Sequence, residues 1–259
     1  MGHSELGYMP KSARWRVVMG LLADPSMDAP AVAGATVHAA ERRLIALRGD
    51  PSITYCFWLL TRLASAARGP EFLDGVRALG VPVTSDDTAL SLVARVADTA
   101  RAELNRYPES GPFGELASLA LRRALTETIG TEGRSLFGSS VDDLEGAFRR
   151  HSSAVQFGEL ATRFFGDFFA RTLRFYVERE LQNQVGGGAL PTIATAGDFA
   201  EALDLHARQS ARIVEGFAAA WYSKKGWERQ GAIGREDAQG FVAHALTKLR
   251  KELLVEALP

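Results

Sequence analysis

The chain has 259 residues, 46% hydrophobic and 24% charged, with 30 Lys and Arg against 31 Asp and Glu. This is the composition of a folded globular protein, and it excludes a disordered chain, a collagen-like repeat and a partner drawn in by net charge alone. The single cysteine, Cys56, excludes an intramolecular disulfide and a multi-thiolate zinc site and points to a reducing cytoplasm.

Only five of the basic residues are lysine, and alanine is abundant, a usage that fits GC-rich bacterial coding. Scattered among matching acids, the arginines read as solvated ion pairs. The opening Met1-Gly2-His3-Ser4-Glu5 lacks the basic start and apolar centre of a signal peptide. The apolar run Tyr55–Leu60 falls far short of the ~20 residues a span requires, so neither export nor membrane insertion is expected.

Helical punctuation recurs along the chain and hairpin signals are missing, which predicts an all-α fold of about eight to nine helices. Trp15–Leu22 suits either a short strand or a first helix. Asp28 with Pro30 opens a helix to about Arg48, and Asp50 before Pro51 opens another to about Ala67. After Gly69 a short helix is expected near Glu71–Leu79, and Thr84 or Ser85 then caps a longer one reaching about Arg106. The acidic pairs Asp86-Asp87 and Asp142-Asp143 follow serines at helix starts, where carboxylates satisfy exposed amides and the helix dipole.

The Pro/Gly stretch after Tyr107 is the best boundary, dividing an N-terminal helical half (1–108) from a C-terminal one (109–259), two halves that can also form one continuous domain. Helices are predicted at Phe113–Ile129, at Val141–His151 behind Ser140, and at Ala154–Val185, the last stopped by Gly186-Gly187-Gly188. Two more run from about Asp198 to Lys225, after a Thr195 cap, and from about Arg235 to Glu256. The glycine run follows a helix and lacks the spacing of a phosphate-binding loop, so it reads as a helix stop.

The longest helix carries the strongest local signal. Phe157, Phe164, Phe165, Phe168, Phe169 and Phe175 share an arc of about 140°, beside a small-residue ridge of Gly158, Thr162, Gly166 and Ala170. Arg163, Asp167, Arg171, Arg174 and Glu178 are confined to a stripe about 80° wide, with i, i+4 neighbours of opposite sign. The pattern predicts a long central Phe-rich helix wrapped by the others. The alternative is a partly open face on which Phe157, Phe164, Phe168 and Phe175 receive a partner's helix.

Candidate chemistry is sparse. His206 and Ser210 are i, i+4 neighbours on an otherwise apolar face, a candidate ligand pocket without a third group or an oxyanion hole. Lys224 and Lys225 between Trp221 and Trp227 are the one place where aromatics interleave with lysines, as in stacking on nucleic-acid bases. The five histidines are widely separated, and no metal, cofactor or catalytic residue is expected. The expectation is therefore a non-catalytic adaptor or subunit of a bacterial cytoplasmic complex, binding another protein or a second copy of itself. The alternatives are a nucleic-acid-binding accessory protein and a small-ligand binder or enzyme around His206 and Ser210.

Overall fold

The computed structural model describes residues 12–130 and 141–255, and these are all-helical, with twelve α-helices and no strand. Asp, Ser or Thr caps stand at six of the helix starts. In α1 (Ala13–Ala23) Ser12 accepts from the Trp15 N–H, and in α2 (Ala29–Ala39) Asp28 accepts from the Ala31 N–H. The strand alternative for Trp15–Leu22 thus gives way to a helix. The helix expected to reach Arg48 instead turns at Ala40 (φ −86°, ψ 3°) and continues as α3 (Glu41–Ala46) and a 3₁₀ turn. Neither Pro nor Gly marks that turn.

Asp50 accepts from the Ser52 and Ile53 N–H groups at the head of α4 (Pro51–Ala66), and its Oδ1 also receives the Ser110 hydroxyl at 3.0 Å. After α5 (Phe72–Arg77), α6 (Ala89–Leu104) begins later than expected, with Thr88 as its cap. Asp87 is therefore not a cap. Its carboxylate takes the Thr84 N–H at 2.8 Å, the Ser91 hydroxyl at 2.8 Å and Arg95 Nε at 2.9 Å, tying the preceding loop to the helix's first turns.

Next come α7 (Pro112–Gly130), α8 (Val141–His151) and the thirty-residue α9 (Ala154–Asn183), with Ser153 capping the last. The expected Ser140 cap lies outside the described residues. At its far end the chain reverses through Gly186, whose φ of +89° is a left-handed conformation suited to glycine. The helix expected over Asp198–Lys225 is two: α10 (Ile193–Ser210), begun by a reciprocal Thr192–Thr195 capping box, and α11 (Ile213–Glu228). The two splits and the helical α1 account for the difference between nine expected helices and twelve. The series ends with α12 (Arg235–Val255).

A single cluster of buried apolar side chains runs from Trp15 to Leu253. Five of the six phenylalanines of α9 enter it, all but Phe175, and α9 packs against α1, α2, α4, α7, α8, α10 and α11. Phe57 of α4 lies between them and α12, 5.2 Å from Phe165 and stacked 4.8 Å from Phe241. The small-residue ridge is where helix backbones meet. A Cβ on Gly158 would stand 2.9 Å from the Glu215 carbonyl oxygen, and one on Gly166 3.3 Å from Arg208 Cα. The turn between α10 and α11 thus settles both helices onto α9. At the other edge α12 covers α2 and α4, with Arg250 2.5 Å from Glu41 and Arg235 over the rings of Tyr55 and Trp58.

Candidate functional site

The charged stripe of α9 is not a solvated face. Asp167 is 2% exposed, because α7 and α10 close over it and bring arginines with them. Its Oδ2 takes Arg171 Nε at 2.5 Å, and its Oδ1 lies 3.4 Å from both Arg123 of α7 and Arg208 of α10. A carboxylate removed from water is tolerable only when paired and hydrogen-bonded, and three guanidiniums meet that demand.

Asp204, on α10, continues the network. Arg174 Nε lies 3.2 Å from its Oδ1, close enough to pair though not aligned for a hydrogen bond, and Arg208 lies 3.7 Å from its Oδ2. Burial raises the Asp204 carboxyl above the usual carboxylate range despite the pull of these two arginines. Beside the network is a cleft of about 620 Å³, lined by Arg123, Arg174 and Arg208 and rimmed by Asp198 and Glu201.

Arg174 also lines a second hollow, an apolar groove of about 530 Å³ between the end of α9 and the start of α10. Val177, Leu181, Val185, Ala196 and Ala200 form its walls, and Ile193 stands at its edge 82% exposed. The i, i+4 periodicity of Val177, Leu181 and Val185 was visible in the sequence, as were the pairs Arg123–Glu127 and Asp204–Arg208. That these stripes would face one another across α7, α9 and α10 was not.

The lysine–tryptophan cluster is divided by the fold. Trp221 packs into the core, 4.6 Å from Phe241 and 5.8 Å from Phe57, whereas Trp227, less than two turns on, is 85% exposed. Lys225 lies 2.8 Å from Glu228 and 3.2 Å from Asp237, and Lys224 lies 3.9 Å from Glu228. Burial alone would raise the Asp237 carboxyl, but hydrogen bonds from Arg229, Lys225 and the Gly234 N–H outweigh it and hold it low. The two lysines are therefore engaged by carboxylates before any phosphate arrives. Trp221 and Lys225 do share one hollow, of about 420 Å³, with Phe217, Phe241 and the first turns of α12.

His206 and Ser210 meet through the backbone: the Ser210 hydroxyl donates to the His206 carbonyl oxygen at 3.0 Å. Neither residue lines either α9–α10 hollow or the α11–α12 one. Of the proposed partner face, Phe157, Phe164 and Phe168 are fully buried inside the chain, so they serve the core. Phe175 alone keeps 39% of its surface and leans edge-on against Phe113. Cys56 is also fully buried, and that burial pushes its thiol up, away from nucleophilic use.

Among the described residues no group of three or more His, Cys, Asp or Glu is placed to hold a metal ion, and no helix is long and apolar enough to cross a membrane. No family model matches the chain, and neither the curated proteins nor the solved structures contain a match.

Proposed function

We propose that this protein is a non-catalytic binding subunit, an adaptor within a bacterial cytoplasmic complex, organised around α9 as its central helix and docking a partner protein on the α9–α10 face. One observation carries the reading: Ile193, a large apolar side chain 82% exposed, stands beside an apolar groove whose other walls are already formed. A solvent-facing isoleucine alone means little, but one joined to a concave apolar surface is what an amphipathic helix or a second copy of the chain covers. The Asp167 network supports the same reading by holding α7, α9 and α10 together, so the face is preorganised and little ordering entropy is lost on docking. Its carboxylates pair with arginines, and among the described residues they lie next to no activated nucleophile, which is the arrangement of a scaffold.

The test is a photo-crosslinking residue at position 193, with a second at exposed Arg122 on α7 as control, in protein expressed in cells of its native source. An adduct formed at 193 only, and lost on Ala196→Glu, supports docking on this face. Equal adducts at both positions, or none with the chain monomeric at all concentrations, overturns it. The nucleic-acid reading retains one observation, exposed Trp227 beside Lys224. It requires affinity that falls steeply between about 50 and 200 mM salt.

A further inference from the structure

We infer that the hollow between α11 and α12 is a binding site for an organic cation with an alkylated ammonium head. It lies apart from the α9–α10 groove and does not depend on the docking reading. Three aromatic side chains line it, with Phe241 4.6 Å from Trp221 and 5.4 Å from Phe217 between ring centroids. Its volume of about 420 Å³ falls within the range of small-molecule sites, about 300–1,000 Å³. One wall is Gly240, where a Cβ would meet nothing within 4 Å, so the hollow opens directly to solvent along α12.

The charges select the ligand. Three charged groups line the hollow: Lys225, Asp237 and Glu236. The first two neutralise each other at 3.2 Å, and Glu228 on Lys225 and Arg229 on Asp237 hold them in place. Glu236, exposed on the first turn of α12, makes no hydrogen bond or close ion pair among the described residues and is felt only at longer range by Arg229. His244, also on the wall, stands edge-on to Phe217 at 4.8 Å. The site thus offers aromatic rings and one uncommitted carboxylate.

Aromatic rings attract a cation through their quadrupole, and Glu236 adds attraction that an anion or a neutral molecule does not receive. A primary ammonium or a guanidinium brings N–H donors that need acceptors once water is displaced. The rings supply none, Asp237 is already occupied, and Glu236 is left as the single carboxylate for the three or more donors such a head carries. An alkylated ammonium has a diffuse charge, apolar methyl groups and no such demand.

Titration calorimetry of the full chain with choline, and with its uncharged tert-butyl isostere in which carbon replaces nitrogen, tests the assignment. Choline is expected to bind, and the isostere roughly five- to twenty-five-fold more weakly, because it loses both the attraction of a solvent-open cation to aromatic rings and that to Glu236. Glu236→Gln should weaken choline by roughly two- to fivefold, as expected for one exposed charge. Gly240→Leu, which fills the hollow from an open helix surface, should abolish binding while the far-UV spectrum and melting temperature are retained. Equal binding of choline and its isostere, no binding of choline at millimolar concentration, or binding that survives Gly240→Leu overturns the assignment. None of these outcomes bears on whether position 193 contacts a partner.

Discussion

Gly158→Ala and Gly240→Ala are the same chemical change in two helices, and the structure assigns them opposite signs. Alanine is favoured over glycine inside a helix by about 0.8–1.0 kcal/mol. At Gly240 nothing lies within 4 Å of the added Cβ, so only that preference acts and a stabilisation of about 0.5–1 kcal/mol is expected. At Gly158 the Cβ would stand 2.9 Å from the Glu215 carbonyl oxygen and 3.2 Å from Glu215 Cγ. The closer atom is backbone, which cannot swing aside as a side chain does, so α11 must move off α9. Overpacking of this kind costs about 1–3 kcal/mol and outweighs the helical preference, leaving a net loss of about 1 kcal/mol. For a chain of this size that lowers the melting temperature by about 2–4 °C, while Gly240→Ala raises it by a similar or smaller amount. Urea unfolding followed by circular dichroism, alongside thermal melts, measures both. If the two variants shift stability in the same direction, the close approach of α9 and α11 is not what places glycine at 158.

Two further expectations concern titration and reactivity. The Asp87 carboxyl is held down to about 2 by the Thr84 N–H and, further, by Ser91 and Arg95, against the opposing effect of burial. Because its folded value is depressed below the ~3.9 of an unfolded aspartate, its contribution is complete above about pH 4 and is lost as pH falls towards 2. The difference in urea midpoint between wild type and Asp87→Asn should therefore be constant from pH 5 to 7 and shrink progressively as pH falls through about 2. A difference independent of pH contradicts the role given to this carboxylate. Cys56, with no exposed surface and a thiol pushed up by burial, should react with a disulfide reagent only as fast as the protein unfolds. Fast labelling of the native protein would show that α4 opens locally.

Helix starts were legible in the sequence where a short polar side chain stands before an apolar run. Asp28 ahead of Pro30 and Asp50 ahead of Pro51 are both caps in the structure, as their chemistry requires. The turns at Ala40 and Ala211 were not legible, because alanine favours helix and neither Pro nor Gly stands at either break. At Ala211 the chain lies close on α9, where a Cβ on Gly166 would come within 3.2 Å of the Ala211 Cβ. Burial of five of the six phenylalanines followed from their arc, yet the same wheel set Asp167 in a charged stripe away from them. A helical wheel shows which residues share a face but not what leans on it. Only the meeting of Arg123, from α7, and Arg208, from α10, turns that stripe into an interior ion-pair network. The α11–α12 hollow was half visible, since Trp221 and Lys225 were singled out, but Phe241 and Glu236 join them from a different stretch of chain.

The way α12 covers α2 and α4 sets a schedule for biosynthesis. Val32, Val37 and Ile53 leave the ribosome long before Val242, Leu246 and Leu249, the α12 side chains that share their buried cluster. Until those late residues emerge, the nascent chain carries an uncovered oily surface that no local contact can hide. Holding factors at the exit tunnel are therefore needed most in the interval between synthesis of α4 and release of α12, and a chain halted before Arg235 should aggregate where the full one folds.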